Sequence, residues 1–198
     1  MAGEIVIDSA RKARVQGFYN DLADTYDHSR YSSKVQLKTD RTAKAAVLEL
    51  LDGRPIKRKR VLDCGCGTGR FSLFFTDLGA EVTGIDSSPR MLEQARAKVS
   101  KARFELSDIF NFQFRDKFDI IVSSQVLTHL HAYAEPLAGM ERALKSDGVI
   151  LIDIRNAISP RNFWAQIRLK LLRGHSIRDY DPDFATIWEL RQICSRLG

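Results

Sequence analysis

Short apolar runs alternate with helix-like segments through the middle of the chain. The runs predict five strands, at 60–63, 81–86, 102–106, 118–122 and 149–154. The segments between them carry apolar residues at helical spacing, as Phe71, Phe75 and Leu78 do after the first strand. Strands that alternate with helices are typical of a parallel sheet covered by helices, so the pattern predicts an α/β fold.

Helices are also predicted towards both ends of the chain. Asp40 is expected to cap a helix that ends near Gly53, which suits the left-handed position after a last turn. A basic amphipathic stretch follows the fifth strand at 161–173. A capping box at 186–189 predicts a last helix.

Composition is that of a globular protein from a reducing compartment. The 198 residues are 44% hydrophobic and 28% charged, and the three cysteines, Cys64, Cys66 and Cys194, have spacings that fit no metal site. Neither a signal peptide nor a transmembrane segment is predicted, so we expect a cytoplasmic protein. Nearly all of the net charge of +6 comes from five basic residues within 54–60, a local cluster that argues against a nucleic-acid partner.

A glycine turn follows the first predicted strand. Gly65, Gly67 and Gly69 lack side chains, so the backbone can approach a nucleotide-like ligand closely. The turn opens with Asp63, whose negative charge would repel a pyrophosphate. That charge suits a ligand with an ammonium and a sulfonium group, which is the charge pattern of S-adenosylmethionine.

The next two predicted strands each end in an acidic residue. Asp86 lies seventeen residues past Gly69, where a carboxylate can accept hydrogen bonds from both hydroxyls of a ribose. Asp108 ends the third strand and could accept a hydrogen bond from an adenine amino group. Because ligands of open α/β sheets lie beyond the carboxyl ends of the strands, we expect both acids at one site with the glycine turn.

Five segments together resemble the class I S-adenosylmethionine-dependent methyltransferases, in their small-molecule branch. The segments are 61–69, 84–88, 107–108, 118–130 and 148–152. The family implies a Rossmann-like, doubly wound, mostly parallel sheet of strand order 3-2-1-4-5, closed by a C-terminal antiparallel hairpin. No residues for that hairpin follow Gly198, so we expect the edge of strand 5 to be open and to pair two copies as a homodimer.

The resemblance implies one methyltransferase domain over 1–198. Its parts are an N-terminal helical cap (1–53), a cofactor-binding core (59–155) and a substrate-side insertion with the last helix (156–198).

The resemblance also assigns residues to S-adenosylmethionine and to its product, S-adenosylhomocysteine. The methionine moiety lies against the glycine turn, the ribose on Asp86 and the adenine between Ser87 and Ile109. Ser124 offers its backbone carbonyl to the ammonium group. The full set of expected cofactor contacts is Tyr26, Arg30, Asp63, Gly65, Cys66, Gly67, Gly69, Asp86, Ser87, Met91, Asp108, Ile109 and Ser124.

The acceptor side is less defined by the sequence. His129 and His131 follow the fourth strand and are candidate general bases, although structural packing of His129 is the alternative. Expected substrate contacts are Tyr133, Arg155, Asn156 and Trp164.

The predicted function is methyl transfer to an O, N, S or C atom of a small molecule. Two alternatives stay open. One is an RNA or protein methyltransferase guided by the basic segments, and the other is a module that binds S-adenosylmethionine without turnover.

Overall fold

The computed structural model describes residues 9–129 and 133–153, together with Ser195. The elements in chain order are α1 (Ser9–Leu22), α2 (Tyr26–Tyr31), α3 (Lys34–Leu50), β1 (Arg60–Cys64), α4 (Arg70–Asp77), β2 (Glu81–Asp86), α5 (Pro89–Lys98), β3 (Arg103–Leu106), β4 (Phe118–Ser124), a short 3-10 helix (Leu127–His129), α6 (Ala134–Ala143) and β5 (Leu144–Asp153).

The five described strands form one parallel sheet of order β3-β2-β1-β4-β5. This confirms the predicted fold class and strand order. The register aligns the carboxyl ends, since Asp86 pairs with Leu106 and Ser124 pairs with Asp153. The loops that leave these strands therefore meet at one edge of the sheet.

Apolar residues fill both faces of the sheet. Neighbouring residues of β4 point to opposite faces, so Ile120 packs in one cluster with Phe75 and Ile121 packs in another with Met140. Both faces are buried at the central strands β1 and β4, which explains why these two strands carry consecutive apolar residues, at 61–62 and 120–122, rather than alternating ones.

The predicted start of helix α3 is wrong. The helix begins at Lys34, and Ser33 is its N-cap, with a capping box in which the Ser33 and Gln36 side chains bond each other's backbone N–H groups. Asp40 lies inside the helix and pairs with Arg70 and Lys44 instead. By contrast, the predicted cap of α5 is confirmed, because the Ser88 side chain accepts the Met91 N–H and Pro89 begins the helix.

Strand β5 begins earlier than predicted. It starts at Leu144, which pairs with Phe118, and the register shifts before Val149 pairs with Ile120. This irregularity places polar residues in the first half of the strand, where an apolar pattern could not show it.

Several predictions fall on residues outside the described part of the chain. They concern His131, Ile154, Arg155, Asn156, Trp164, Cys194 and the segment 156–198 apart from Ser195. Within the described residues, no helix is both long enough and apolar enough to cross a membrane.

Candidate functional site

A cavity of about 490 Å³ lies where the carboxyl ends of the strands meet, beneath helix α1. Its walls come from the loops after β1, β2, β3 and β4, with α1 and Tyr26 of α2 on the remaining side. Sites of this kind are expected at the carboxyl edge of an open parallel sheet. The expected cofactor residues that line it are Tyr26, Gly65, Gly67, Asp86, Ser87, Met91, Asp108, Ile109 and Ser124.

The glycine turn adopts backbone angles that favour glycine. Gly65, Gly67 and Gly69 have φ of +73°, +53° and +80°. A Cβ at Gly65 would stand 2.3 Å from Val126 Cγ2, so that position also requires the absence of a side chain. Gly69 does not line the cavity: a Cβ there would stand 3.3 Å from Cβ of Ala95, so this glycine lets α5 pack closely.

Asp86 joins the glycine turn to the start of α5. One carboxylate oxygen accepts the Gly67 N–H at 2.8 Å, and the other accepts the Ser88 N–H at 2.9 Å. Burial raises the pKa of Asp86, while the backbone N–H groups act in the opposite direction. The carboxylate is thus fixed in place at the wall of the cavity.

Asp63 lies beneath the turn rather than in the larger cavity. Its side chain is buried and accepts a hydrogen bond from the Ser72 hydroxyl at 2.7 Å. Burial raises the pKa of Asp63 to about 6, against the lowering effects of Ser72 and Arg70. Together with Cys66, it borders a narrow passage of about 40 Å³ on the methionine side of the predicted site.

Helix α1 covers the cavity and forms its roof. The sequence pattern did not identify which residues of this helix face the site. The Lys12 ammonium pairs with Asp108 at 3.0 Å and lies 4.0 Å from the centre of the Phe110 ring. The Gln16 side chain donates to the Ser87 carbonyl at 2.6 Å. These contacts join residues 96 and 71 positions apart, and no local pattern reveals them.

Helix α2 is bound to the glycine turn and to helix α5. The Asp27 carboxylate accepts the Thr68 hydroxyl at 2.6 Å and pairs with Lys98 of α5. This contact holds Tyr26 at the cavity, where burial raises the pKa of its hydroxyl. The family resemblance also implied that Tyr26 lies at the cofactor site.

Arg30 faces a separate chamber of about 140 Å³ between α2 and α3, and does not line the larger cavity. The passage beneath the turn lies between the chamber and the cavity: it shares Tyr31 and Arg70 with the chamber and Tyr26 and Gly65 with the cavity. Gln125 borders all three spaces. Its φ of +59° is a backbone conformation that residues other than glycine rarely adopt.

An ionic network holds the backbone at Gln125. Arg70 donates to Asp40 at 2.6 Å and to the Ser124 hydroxyl at 2.9 Å, and that hydroxyl donates to Asp153 at 2.7 Å. The other oxygen of Asp153 accepts the Gln125 N–H. The network joins the helical cap to the ends of β4 and β5.

The predicted acceptor residues differ in where they lie. His129 is buried at the cavity wall, with its ring centre 6.0 Å from that of Tyr19. Tyr133 packs against the apolar cluster that contains Met140, and is absent from the residues that line the cavity.

Comparisons with known proteins agree with this architecture. Residues 62–152 match the model of a methyltransferase domain family. The chain is 33% identical over 144 residues to a malonyl-[acyl-carrier protein] O-methyltransferase of Hamiltonella defensa, covering 71% of this chain and 53% of that protein. It is 29% identical over 172 residues to a ubiquinone biosynthesis O-methyltransferase of Rhodopseudomonas palustris, covering 81% of this chain and 63% of that one.

A solved structure extends the similarity in fold to most of the chain. Magnesium protoporphyrin IX methyltransferase from Synechocystis, with bound S-adenosylhomocysteine, gives a TM-score of 0.72 at 20% identity, covering 95% of this chain and 89% of that one. The chain spans about half the length of the first curated relatives it matches. The matched family model runs from within β1 through most of β5 and includes the glycine turn and both strand-end acids, and the comparisons together support a class I S-adenosylmethionine-dependent methyltransferase.

Proposed function

We propose that the chain binds S-adenosylmethionine in the larger cavity and transfers its sulfonium methyl group to a nucleophilic atom of a small molecule by in-line displacement. The fixed carboxylate of Asp86 carries this proposal. Gly67 and Ser88 each donate one backbone N–H to it. A carboxylate offers about four acceptor positions, so two remain for the hydroxyls of a ribose.

The charges at the cavity support the same ligand. Lys12 brings one positive charge, and Asp86 and Asp108 bring two negative charges, which leaves one net negative charge among these three. S-adenosylmethionine carries a sulfonium, an ammonium and one carboxylate at neutral pH, hence one net positive charge. A dinucleotide would add a pyrophosphate beside the two acids, which is unfavourable.

When bound, S-adenosylmethionine supplies a methyl group on a positively charged sulfur. The role of the protein is to hold the two reactants in line and to exclude water. Lys12 and Gln16 close α1 over the adenosine side, and Asp27 holds α2 at the glycine turn. Alignment of this kind can lower a barrier by up to about 7–11 kcal/mol.

His129 is assigned to packing rather than to base catalysis. The residue is 7% exposed and its ring lies near that of Tyr19 beneath α1, which supports a structural role. Tyr26 is proposed to contact the cofactor. Arg30 lines the chamber next to the passage beneath the turn, and its contact with the cofactor stays a prediction.

Similarity supports a small acceptor. Two matched proteins are a malonyl-[acyl-carrier protein] O-methyltransferase and a ubiquinone biosynthesis O-methyltransferase.

We also propose a cytoplasmic location and a homodimer through β5, which among the described strands pairs only with β4. Light scattering that gives a monomer mass at high protein concentration would rule out the dimer.

Calorimetric titration tests the cofactor. We expect S-adenosylmethionine and S-adenosylhomocysteine to bind and NAD not to bind. Asp86→Asn should weaken both by roughly tenfold or more, because a charge-assisted hydrogen bond contributes about 1.5–3 kcal/mol. The matched control is Asp77→Asn at an exposed position of α4, which should bind as the unmodified chain does. Binding of NAD instead, or an unchanged affinity in Asp86→Asn, would refute the assignment.

A further inference from the structure

The sulfur of the bound cofactor is located by the two groups that it joins. In the proposed function, Asp86 holds the ribose in the larger cavity and the methionine moiety lies towards the passage beneath the glycine turn. The sulfur links these two parts of S-adenosylmethionine, so it lies at the junction where the cavity meets the passage. A methyl acceptor must reach this junction. The residues that border both spaces are Tyr26, Gly65, Gly67, Ser124 and Gln125.

Gln125 carries the polar side chain of the junction that has not been used by the protein itself. The Ser124 hydroxyl donates to Asp153 at 2.7 Å. The Tyr26 hydroxyl is hydrogen-bonded to Tyr31. Gln125 is exposed, and its side-chain amide has no hydrogen-bond partner among the described residues. This amide is therefore available to a ligand at the junction.

The backbone at Gln125 is fixed in an unfavourable conformation. Its φ of +59° lies in the left-handed region, and the Asp153 carboxylate accepts its N–H. The next residue, Val126, packs against the glycine turn, because a Cβ at Gly65 would stand 2.3 Å from Val126 Cγ2. Unfavourable backbone conformations that the surroundings hold in place are concentrated at functional sites. These contacts place the start of the Gln125 side chain beside the reacting end of the cofactor.

The junction has no ionised side chain. Burial raises the pKa of Tyr26, so its hydroxyl stays protonated at neutral pH, and the other members are glycine, serine and glutamine. An anionic group is normally held by an arginine or lysine, and neither type borders the junction within the described part of the chain. A cationic group would be repelled by the sulfonium. A carboxamide both donates and accepts hydrogen bonds, which matches an uncharged hydroxyl.

We propose that the side-chain amide of Gln125 binds the methyl acceptor through an uncharged hydroxyl group of that molecule, and orients it towards the methyl group. This inference rests on the proposed function. It makes Gln125 a residue that selects the acceptor, whereas Asp153 is a positioning residue that holds the backbone of Gln125.

The test follows the side-chain NH2 signals of Gln125 by nuclear magnetic resonance in the chain saturated with S-adenosylhomocysteine. Four probes with one aromatic ring are titrated: phenol, toluene, benzoate and benzylammonium. We expect saturable shifts with phenol, smaller shifts with toluene, and tighter binding of phenol than of either ion. No shift with phenol, or equal shifts with phenol and toluene, would overturn the proposal. Tighter binding of either ion would overturn the hydroxyl class.

A variant of Gln125 locates the effect. Gln125→Leu keeps the approximate size of the side chain and removes the amide, so it should weaken phenol binding about fivefold. The matched control is Gln113→Leu, at an exposed position that lines none of the three spaces, and it should bind phenol as the unmodified chain does. Equal phenol affinity in the two variants would overturn the assignment of Gln125.

Replacement by glycine separates binding from folding. Gln125→Gly removes the amide and also the unfavourable backbone conformation, since glycine adopts a positive φ without steric cost. We expect a Tm that is unchanged or higher by up to about 4 °C, together with the loss of phenol affinity seen in Gln125→Leu. A lower Tm would show that the side chain supports the fold, and would overturn its assignment to the acceptor.

Cofactor affinity distinguishes this inference from the proposed function. Gln125→Leu and Gln125→Gly should bind S-adenosylhomocysteine as the unmodified chain does. Loss of that affinity in both variants would assign Gln125 to the cofactor and overturn this inference while leaving the proposed function intact. Failure of the unmodified chain to bind S-adenosylhomocysteine would refute the proposed function itself.

Discussion

Replacement of Gly65 by alanine tests whether the glycine turn is built by sterics. The new Cβ would stand 2.3 Å from Val126 Cγ2 and 2.9 Å from Val126 Cγ1. Cβ of Val126 would lie at 3.2 Å, so rotation of this side chain would leave it in close contact. The turn or the segment after β4 must therefore shift.

Two costs add to give the expected loss of stability. An L-residue in the left-handed region, here φ of +73°, costs about 1–2 kcal/mol. Overpacking of a well-packed site costs about 1–3 kcal/mol. Gly65→Ala should therefore lower the free energy of unfolding by about 2–5 kcal/mol, which for a chain of this size lowers Tm by roughly 4–20 °C.

Urea and thermal unfolding of the unmodified chain and four variants separate the two costs. The control is Gly67→Ala, since Gly67 has φ of +53° but nothing within 4 Å of its Cβ position, so only the backbone cost applies. Val126→Ala added to Gly65→Ala should recover part of the loss, with a coupling of about 0.5–3 kcal/mol against the single variants. Equal losses in Gly65→Ala and Gly67→Ala, together with zero coupling to Val126→Ala, would refute the steric reasoning.

Three further predictions concern buried polar groups. Because burial raises the pKa of Asp63 to about 6 from 3.8, the folded chain binds the proton more tightly, so the free energy of unfolding should fall by up to about 3 kcal/mol as pH rises from 4 to 6; urea titrations should show this slope, and Asp63→Asn should lack it. Arg70→Met should lower the free energy of unfolding by about 1.5–3 kcal/mol, because the Asp40 carboxylate loses its closest partner and keeps only Lys44; adding Asp40→Asn should restore part of the loss, and an additive double variant would contradict this. Ser88→Ala should lower the thermal stability by about 0.5–2 kcal/mol through loss of the α5 cap, and an unchanged Tm would contradict the role of that cap.

The parallel core could be predicted because its signals are local. Strand β4 contains an apolar run at 120–122, and Gly65 and Gly67 follow β1 closely, so short windows of sequence contain these signals. The start of α3 also had a local signal, since Ser33 and Gln36 have the spacing of a capping box. Asp40 was wrongly predicted as the N-cap, because an acidic residue can also lie inside a helix and pair with an arginine that is distant in sequence, as Asp40 does with Arg70.

The roof of the site could not be predicted in detail because its contacts are long-range. The apolar and polar residues of helix α1 are not separated onto two faces, so its sequence does not reveal which face meets the cavity. Lys12 reaches Asp108 across 96 residues, and Gln16 reaches Ser87 across 71. The chamber at Arg30 likewise depends on the packing of α2 against α3, which no sequence period encodes.

The roof has a consequence for the order of events during synthesis on the ribosome. Residues 9–22 leave the exit tunnel well before their partners Ser87 and Asp108. A helix of 14 residues with no buried face is marginal by itself in water. Helix α1 must therefore wait as a largely unstructured segment until β3 has emerged, and closure of the ligand cavity is a late step in the maturation of each new chain.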